Sequence, residues 1–169
     1  MQQVLRILVT ALTVVALAYI GGIVSAQTPL RQIKLSEKQL DSFIASHKDM
    51  ADLLEKLPAE TSETAAQGQI DAVAKKHGFK DHNEYNEVAA NIDLVMSCID
   101  PKTKAFTEPP VLLKKELDDV MADKSMPEQD RKQWIDELTE RVKTAQPIQH
   151  SSNVDLVKRY YDKLEPLQQ

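Results

Sequence analysis

The chain has a single cysteine among its 169 residues, only four glycines, and aromatic side chains at just 5%. One cysteine excludes a disulfide framework within the chain, a four-cysteine zinc site and an iron–sulfur cluster. The shortage of glycine and aromatic residues disfavours β-sandwiches and barrels. Lys and Arg total 21 against 26 Asp and Glu, for a formal charge of −5. This acidic balance argues against a nucleic-acid partner, because binding phosphates requires a concentration of basic side chains.

The residues that the chain does have in abundance are helix formers. Ala, Leu, Glu, Lys and Gln are frequent, and such side chains lose little rotamer freedom in a helix. A chain of this length can bury a substantial core in one domain. The composition therefore predicts an all-α protein.

Residues 1–26 have the organisation of a secretory signal peptide. A short start with Arg6 precedes the apolar run Ile7–Val24, and small residues lead to Ala26. We predict cleavage between Ala26 and Gln27 and export to the periplasm or the medium of a bacterial cell, with no membrane span afterwards. A retained membrane anchor stays open as an alternative, because the run is just short of a span of about 20 residues.

The rest of the chain reads as a tether followed by one domain. Residues 27–35 contain Pro29 and no hydrophobic period, which predicts a tether before a single helical domain over 36–169. Ser36 and Gln39 have the spacing of a capping box, so the first helix is expected to begin there.

Amphipathic periods of three and four residues predict about six helices. The third, capped by Asp81, has the most regular period and is expected to be the central one. Ser125 is predicted to cap the fifth helix, and Ser152 or Asn153 the sixth. Short loops between amphipathic helices favour antiparallel neighbours. The fold is therefore a small helical bundle or an orthogonal array, and the period alone does not decide between them.

His77, Asp81 and His82 lie close together in the sequence around Gly78. Imidazole and carboxylate groups are zinc ligands, so these three residues are candidates for a metal site. The alternative is structural. His77 then interacts with a helix C-terminus, Gly78 adopts positive φ after it, and Asp81 caps the next helix. The two histidines are separated by a helix break, which favours the structural interpretation, so neither a metal nor another cofactor is predicted.

Cys98 lies at the edge of the apolar stripe of the third helix. It is interpreted as a small, partly buried hydrophobe. An intermolecular disulfide in an oxidising compartment is the functional alternative.

Trp134, Tyr160 and Tyr161 are the candidate interaction surface, since aromatic side chains combine large contact area with a polar tip. The alternative is that one tyrosine packs on the bundle and the other lies flat on its surface. The partner would be another protein or an envelope component. A homodimer also stays open.

Two segments resemble families of exported helical proteins. Gly78–Phe79 followed by Glu84–Val88 is similar to the G-[LF]…E-Y-N-x-[IV] segment of exported bacterial helical proteins of unknown function. Leu35–Gln39 and Met126–Gln129 resemble the L-T-x-x-Q motif of the Spy/CpxP group of periplasmic chaperones. The second resemblance implies ATP-independent protection of unfolded proteins on an amphipathic surface.

These observations predict a non-enzymatic, exported helical protein that binds another protein or the envelope. The chain has no H-E-x-x-H, no G-x-S-x-G and no glycine-rich phosphate loop. A Spy-like chaperone and a metal-handling protein using His77, Asp81 and His82 are the alternatives.

Overall fold

The computed structural model describes residues 30–168, and over this range the protein is all-α, as the composition predicts. The predicted signal peptide and its cleavage site at Ala26 and Gln27 lie outside the described residues. None of the helices described is long and apolar enough to cross a membrane. The six α-helices are α1 (Glu37–Lys56), α2 (Glu63–Lys76), α3 (His82–Met96), α4 (Pro109–Ala122), α5 (Glu128–Thr144) and α6 (Ser151–Leu164), followed by a 3₁₀ turn at Glu165–Gln168.

Two of the predicted helix starts are confirmed by their hydrogen bonds. The Ser36 N–H donates to Gln39 Oε1 at 3.0 Å and the Gln39 N–H donates to Ser36 Oγ at 3.3 Å, which closes the capping box of α1. The Asp81 carboxylate accepts from the Glu84 N–H at 2.9 Å and caps α3.

The end of α2 is set by Gly78, as its position after the helix predicts. Gly78 has φ 89, a conformation in which a side chain would be strained. Its N–H donates to the Lys75 carbonyl and the Phe79 N–H donates to the Ala74 carbonyl, both at 3.1 Å. This pair of bonds is the Schellman motif, and the buried Phe79 covers the turn.

The predicted caps of the last two α-helices are wrong. Ser125 does not cap α5, because its hydroxyl donates to the nearby Asp123 carboxylate at 2.6 Å and the helix begins only at Glu128. Neither Ser152 nor Asn153 caps α6, since the helix begins at Ser151 and includes both, with Asn153 buried inside the first turn.

A scaffold of α1, α2, α3 and α6 contains the main core. Val88, Ile92 and Val95 on α3 are almost completely buried, which confirms that the third helix is central. Other helices of the scaffold contribute Leu40, Phe43, Ala74, Leu156, Val157, Tyr161 and Leu164.

The remaining two helices form a separate hairpin, here called the arm (residues 109–144). α4 and α5 pack extensively against each other, whereas neither packs extensively against a scaffold helix. The arm has a small core of its own around Leu138, which is 2% exposed.

Candidate functional site

Residues 30–35, here called the strap, are extended and docked across α3 and α6. Two buried asparagines hold the strap by its backbone. Asn91 accepts from the Ile33 N–H and donates to the Arg31 carbonyl, both at 3.0 Å. Asn153 accepts from the Leu35 N–H at 2.9 Å and donates to the Ile33 carbonyl at 2.7 Å. The tether prediction is therefore wrong for this segment.

The two amides act on the strap as a neighbouring β-strand would. Each side chain accepts one hydrogen bond from the strap and donates one to it, and together the two amides pair with backbone groups of alternate residues. Across residues 30–168, every buried side-chain nitrogen and oxygen has a hydrogen-bond partner. The strap is thus bound through its backbone, and Leu35 is buried in the core beside it.

The sequence contains a signal for these asparagines that period analysis missed. Asn91 and Asn153 both fall on the apolar stripe of their helix, Asn153 in line with Leu156, Val157 and Leu164. A buried amide needs partners for both of its polar atoms. Asn91 also donates to the Glu87 carbonyl within α3 at 2.8 Å, and the strap supplies the remaining partners of both asparagines.

The strap also fixes the base of the arm. Gln32 donates from Nε2 to the Pro147 carbonyl at 3.1 Å and accepts at Oε1 from the Gln149 N–H at 2.8 Å. Between these two residues, the Ile148 N–H donates to Glu108 Oε2 at 3.0 Å. Glu108 directly precedes α4, so the beginning of α4 and the segment after α5 are held together at the scaffold.

Beyond its base, the arm carries most of the large apolar side chains that are exposed. Val111 and Met121 on α4 are 60% and 59% exposed, and Trp134 on α5 is 36% exposed. They are three of the five large hydrophobic residues that are exposed in the described chain. All three belong to the same hairpin, and exposed apolar residues gathered on one part of a protein make it a candidate binding surface.

The predicted aromatic surface is only partly present. Trp134 is exposed on the arm, but Tyr161 is buried in the scaffold core, with its hydroxyl 3.4 Å from Glu165 Oε1 and Lys104 Nζ 3.5 Å from its ring centroid. Tyr160 is partly buried against the same core. The prediction is wrong for Tyr161, because α6 turns that side chain towards the scaffold.

The candidate metal ligands are occupied by separate structural interactions. His77 Nε2 lies 2.8 Å from Asp49 Oδ2 on α1, and His82 Nδ1 lies 2.8 Å from Asp71 Oδ1 on α2. Asp81 caps α3. No group of three or more His, Cys, Asp or Glu side chains within residues 30–168 is placed to hold a metal ion. The structure thus places His77, Asp81 and His82 in three separate interactions and does not bring them together around one point.

Asp49 and Asp71, the aspartates that pair with these histidines, attach α2 to α1 and to α3 respectively. Hydrogen bonds from Lys76 and His77 lower the pKa of Asp49 to about 2. The backbone N–H of His82 donates to Asp71 at 2.8 Å, and this bond, with the His82 side chain, lowers the pKa of Asp71. Both groups therefore stay ionised and stabilise the packing of a helix that buries little apolar surface.

Cys98 is buried, with 4% of its surface exposed, and burial raises the pKa of its thiol. Its carbonyl accepts from the Thr107 N–H at 2.9 Å in the turn between α3 and α4. This placement favours the small hydrophobe over the intermolecular disulfide, because a second thiol cannot reach a buried sulfur atom without local opening.

Two shallow grooves, of about 230 and 350 Å³, flank the junction of the strap with α1. The larger groove is lined in part by the ion pair of Arg159 with Glu37, whose Nη2 and Oε1 atoms lie 2.6 Å apart. On α3, burial raises the pKa of Asp93, and Gln168 Nε2 donates to its carboxylate at 2.9 Å. Glu37 and Asp93 each have a partner within the scaffold, whereas Val111, Met121 and Trp134 of the arm are exposed to solvent.

The chain matches no protein-family model, no curated protein and no solved structure. The resemblances of short segments to exported helical proteins and to Spy/CpxP-type chaperones therefore stay predictions.

Proposed function

We propose that the protein is an exported, non-enzymatic helical module that binds another protein through the arm. One observation carries this proposal: the arm is attached to the scaffold at its base and carries Val111, Met121 and Trp134 exposed beyond it. The signal-peptide pattern of residues 1–26 supports export.

The arm is underpacked compared with the scaffold helices. Five residues of α3 are buried, whereas Pro109 is the buried residue of α4 and Leu138 that of α5. Most helical stability comes from packing an amphipathic face against other elements. A partner helix or surface laid against the arm would supply the packing that the scaffold does not.

The polar side chains of the scaffold that could carry chemistry are engaged in structural hydrogen bonds, and this supports the proposal of a non-enzymatic role. The histidines singled out in the sequence each pair with one aspartate, and the buried asparagines hold the strap. Those contacts stabilise structure and place the base of the arm. Binding is thereby assigned to the arm and positioning to the scaffold.

Site-specific photo-crosslinking in the cells that produce the protein tests this proposal. A benzoylphenylalanine replaces Met121 on the arm in one variant and Asp162, an exposed residue of α6, in a matched control. The expected result is one discrete crosslinked product from position 121 and none from position 162.

Equal crosslinking at both positions, or none at either, would contradict binding through the arm. A broad distribution of products from position 121 would replace a specific partner with the Spy-like chaperone alternative, because a chaperone contacts many unfolded proteins. Crosslinks to lipid or cell-wall material alone would identify an envelope component as the partner.

A further inference from the structure

One side of α4 faces away from α5. Successive residues of a helix are 100° apart around its axis, and at this spacing the exposed residues of α4 fall on one half of its surface. The other half carries its half-buried leucine and valine side chains, Leu112, Leu113, Leu117 and Val120. The exposed side is here called the outer face, and it consists of Val111, Lys114, Lys115, Asp118, Asp119, Met121 and Ala122.

The order of charge on the outer face runs against the helix dipole. The basic pair, Lys114 and Lys115, precedes the acidic pair, Asp118 and Asp119, whereas a helix favours acidic residues towards its N-terminus and basic ones towards its C-terminus. Among the six helices of residues 30–168, α4 alone has neither an acidic residue in its first turn nor a basic one in its last.

The ion pair within α4 does not account for this order. Lys114 Nζ lies 3.2 Å from Asp118 Oδ2, and both side chains are more than half exposed. A basic residue placed four positions before an acidic one is the less favourable orientation within a helix. An exposed pair of this kind contributes little to stability. The stability of α4 itself therefore gives no reason for the charge order.

The charge order on the outer face is, however, complementary to that of a second, antiparallel copy of α4. The point midway between the basic pair and the acidic pair is the peptide bond after Glu116, and Glu116 is also midway between Val111 and Met121. A second α4 laid antiparallel across a two-fold axis at this point sets each basic pair against an acidic pair. The same operation sets Val111 of one copy against Met121 of the other, so both exposed apolar residues are covered.

We infer that the outer face of α4 is the interface between two copies of this protein. The two α4 helices are antiparallel about a two-fold axis that lies at the level of Glu116 along the helix. The inference rests on the proposed function and names its partner as a second copy of the chain. A two-fold contact uses the same surface on both subunits, as this face requires. The two α4 helices then lie side by side, with the α5 helix of each copy on the far side of its own α4.

The size and composition of the face define the kind of dimer. A helix of 14 residues is about 21 Å long, so two such helices bury a small interface with charges at its centre. Interfaces of this size belong to weak or transient complexes. The dimer is accordingly expected to weaken as salt screens its exposed charges.

A charge-reversal cycle followed by analytical ultracentrifugation tests the inference. The acidic variant is Lys114→Asp/Lys115→Asp, and the basic variant is Asp118→Lys/Asp119→Lys. Each alone sets like charges against each other and should raise the dissociation constant of the dimer by about tenfold or more. Combining all four changes, or mixing the two variants in equal amounts, should restore association, because opposite charges face each other again.

Matched variants separate this effect from net charge and from misfolding. Lys38→Asp/Lys158→Asp changes the net charge by the same amount as the acidic variant, but at exposed positions of the scaffold. It should leave the dissociation constant of the dimer unchanged. Circular dichroism checks that the variants keep their helix content. A wild-type protein that stays monomeric at every concentration would overturn the inference, as would association that the reversals on α4 do not change.

The crosslink at position 121 distinguishes failure of this inference from failure of the proposed function. A product with twice the mass of the chain supports both. A discrete product of another mass overturns the pairing of two copies and leaves protein binding by the arm standing. The absence of any product contradicts both.

Discussion

Replacing Asn153 by alanine removes one of the two amides that hold the strap, and the structure allows its cost to be worked out. The side chain makes two hydrogen bonds, one from the Leu35 N–H and one to the Ile33 carbonyl. Asn153→Ala leaves the first of these groups buried, whereas the second is partly buried and can meet water. An unsatisfied buried polar group costs about 1–3 kcal/mol.

The strap can also respond by leaving the scaffold, and this sets an upper limit on the cost. Detachment lets water reach the free backbone groups but exposes Leu35, which is 5% exposed in the folded protein. Burial of a leucine side chain contributes about 1.5–3 kcal/mol. Both responses give a similar figure, so Asn153→Ala should lower the free energy of unfolding by about 1–3 kcal/mol.

Urea unfolding followed by circular dichroism measures this difference by linear extrapolation. Asn86→Ala is the matched control, because Asn86 is an exposed asparagine on α3 and its loss should change the free energy of unfolding by less than about 0.5 kcal/mol. If Asn153→Ala were as stable as Asn86→Ala, the account of the strap as a backbone-bound segment would be refuted.

Three further predictions follow from the scaffold. Ile92→Asp should lower the free energy of unfolding by several kcal/mol, roughly 3–5, because Ile92 is 0% exposed at the centre of the core; an unchanged melting curve would mean that α3 is not central. Lys76 and His77 lower the pKa of Asp49 from 3.8 to about 2, so its contribution to stability is present above the higher value and is lost as the pH falls through the lower. As the pH is lowered from 3.8 to about 2, the difference in unfolding free energy between wild type and Asp49→Asn should therefore shrink. A difference that does not change with pH would contradict the ion pair. Cys98 should react with a thiol reagent only after unfolding, and rapid labelling of the native protein would show that it is not buried.

Local signals near each helix predicted much of the scaffold correctly. Asp81 with Glu84 and Ser36 with Gln39 act within one turn, so their hydrogen bonds depend on few other residues. Gly78 similarly ends α2 by its own conformational freedom. Where a competing local partner existed, the prediction failed, as it did when Asp123 took the hydroxyl of a serine expected to cap α5.

The strap and the arm depend on contacts that are distant in the sequence. Leu35 and Asn153 are 118 residues apart, and an extended segment with no period gives no indication of a partner at that distance. The periods of α4 and α5 look like those of core helices, because a two-helix hairpin needs the same apolar stripe. Tyr161 lies four residues after Val157 on the apolar stripe of α6, but a tyrosine also suits an interface, and the stripe alone does not decide between the two positions.

Native-state hydrogen exchange on the full chain, at low and high protein concentration, tests most directly whether the arm is a binding surface attached at its base. In dilute protein, amides of α4 and α5 should open at lower free energy than those of α3 and α6, because they have fewer contacts outside the hairpin. At high concentration, the amides of α4 should gain protection while those of α3 do not change. Amides of the arm protected as strongly as those of α3 in dilute protein, with no effect of concentration, would contradict the account.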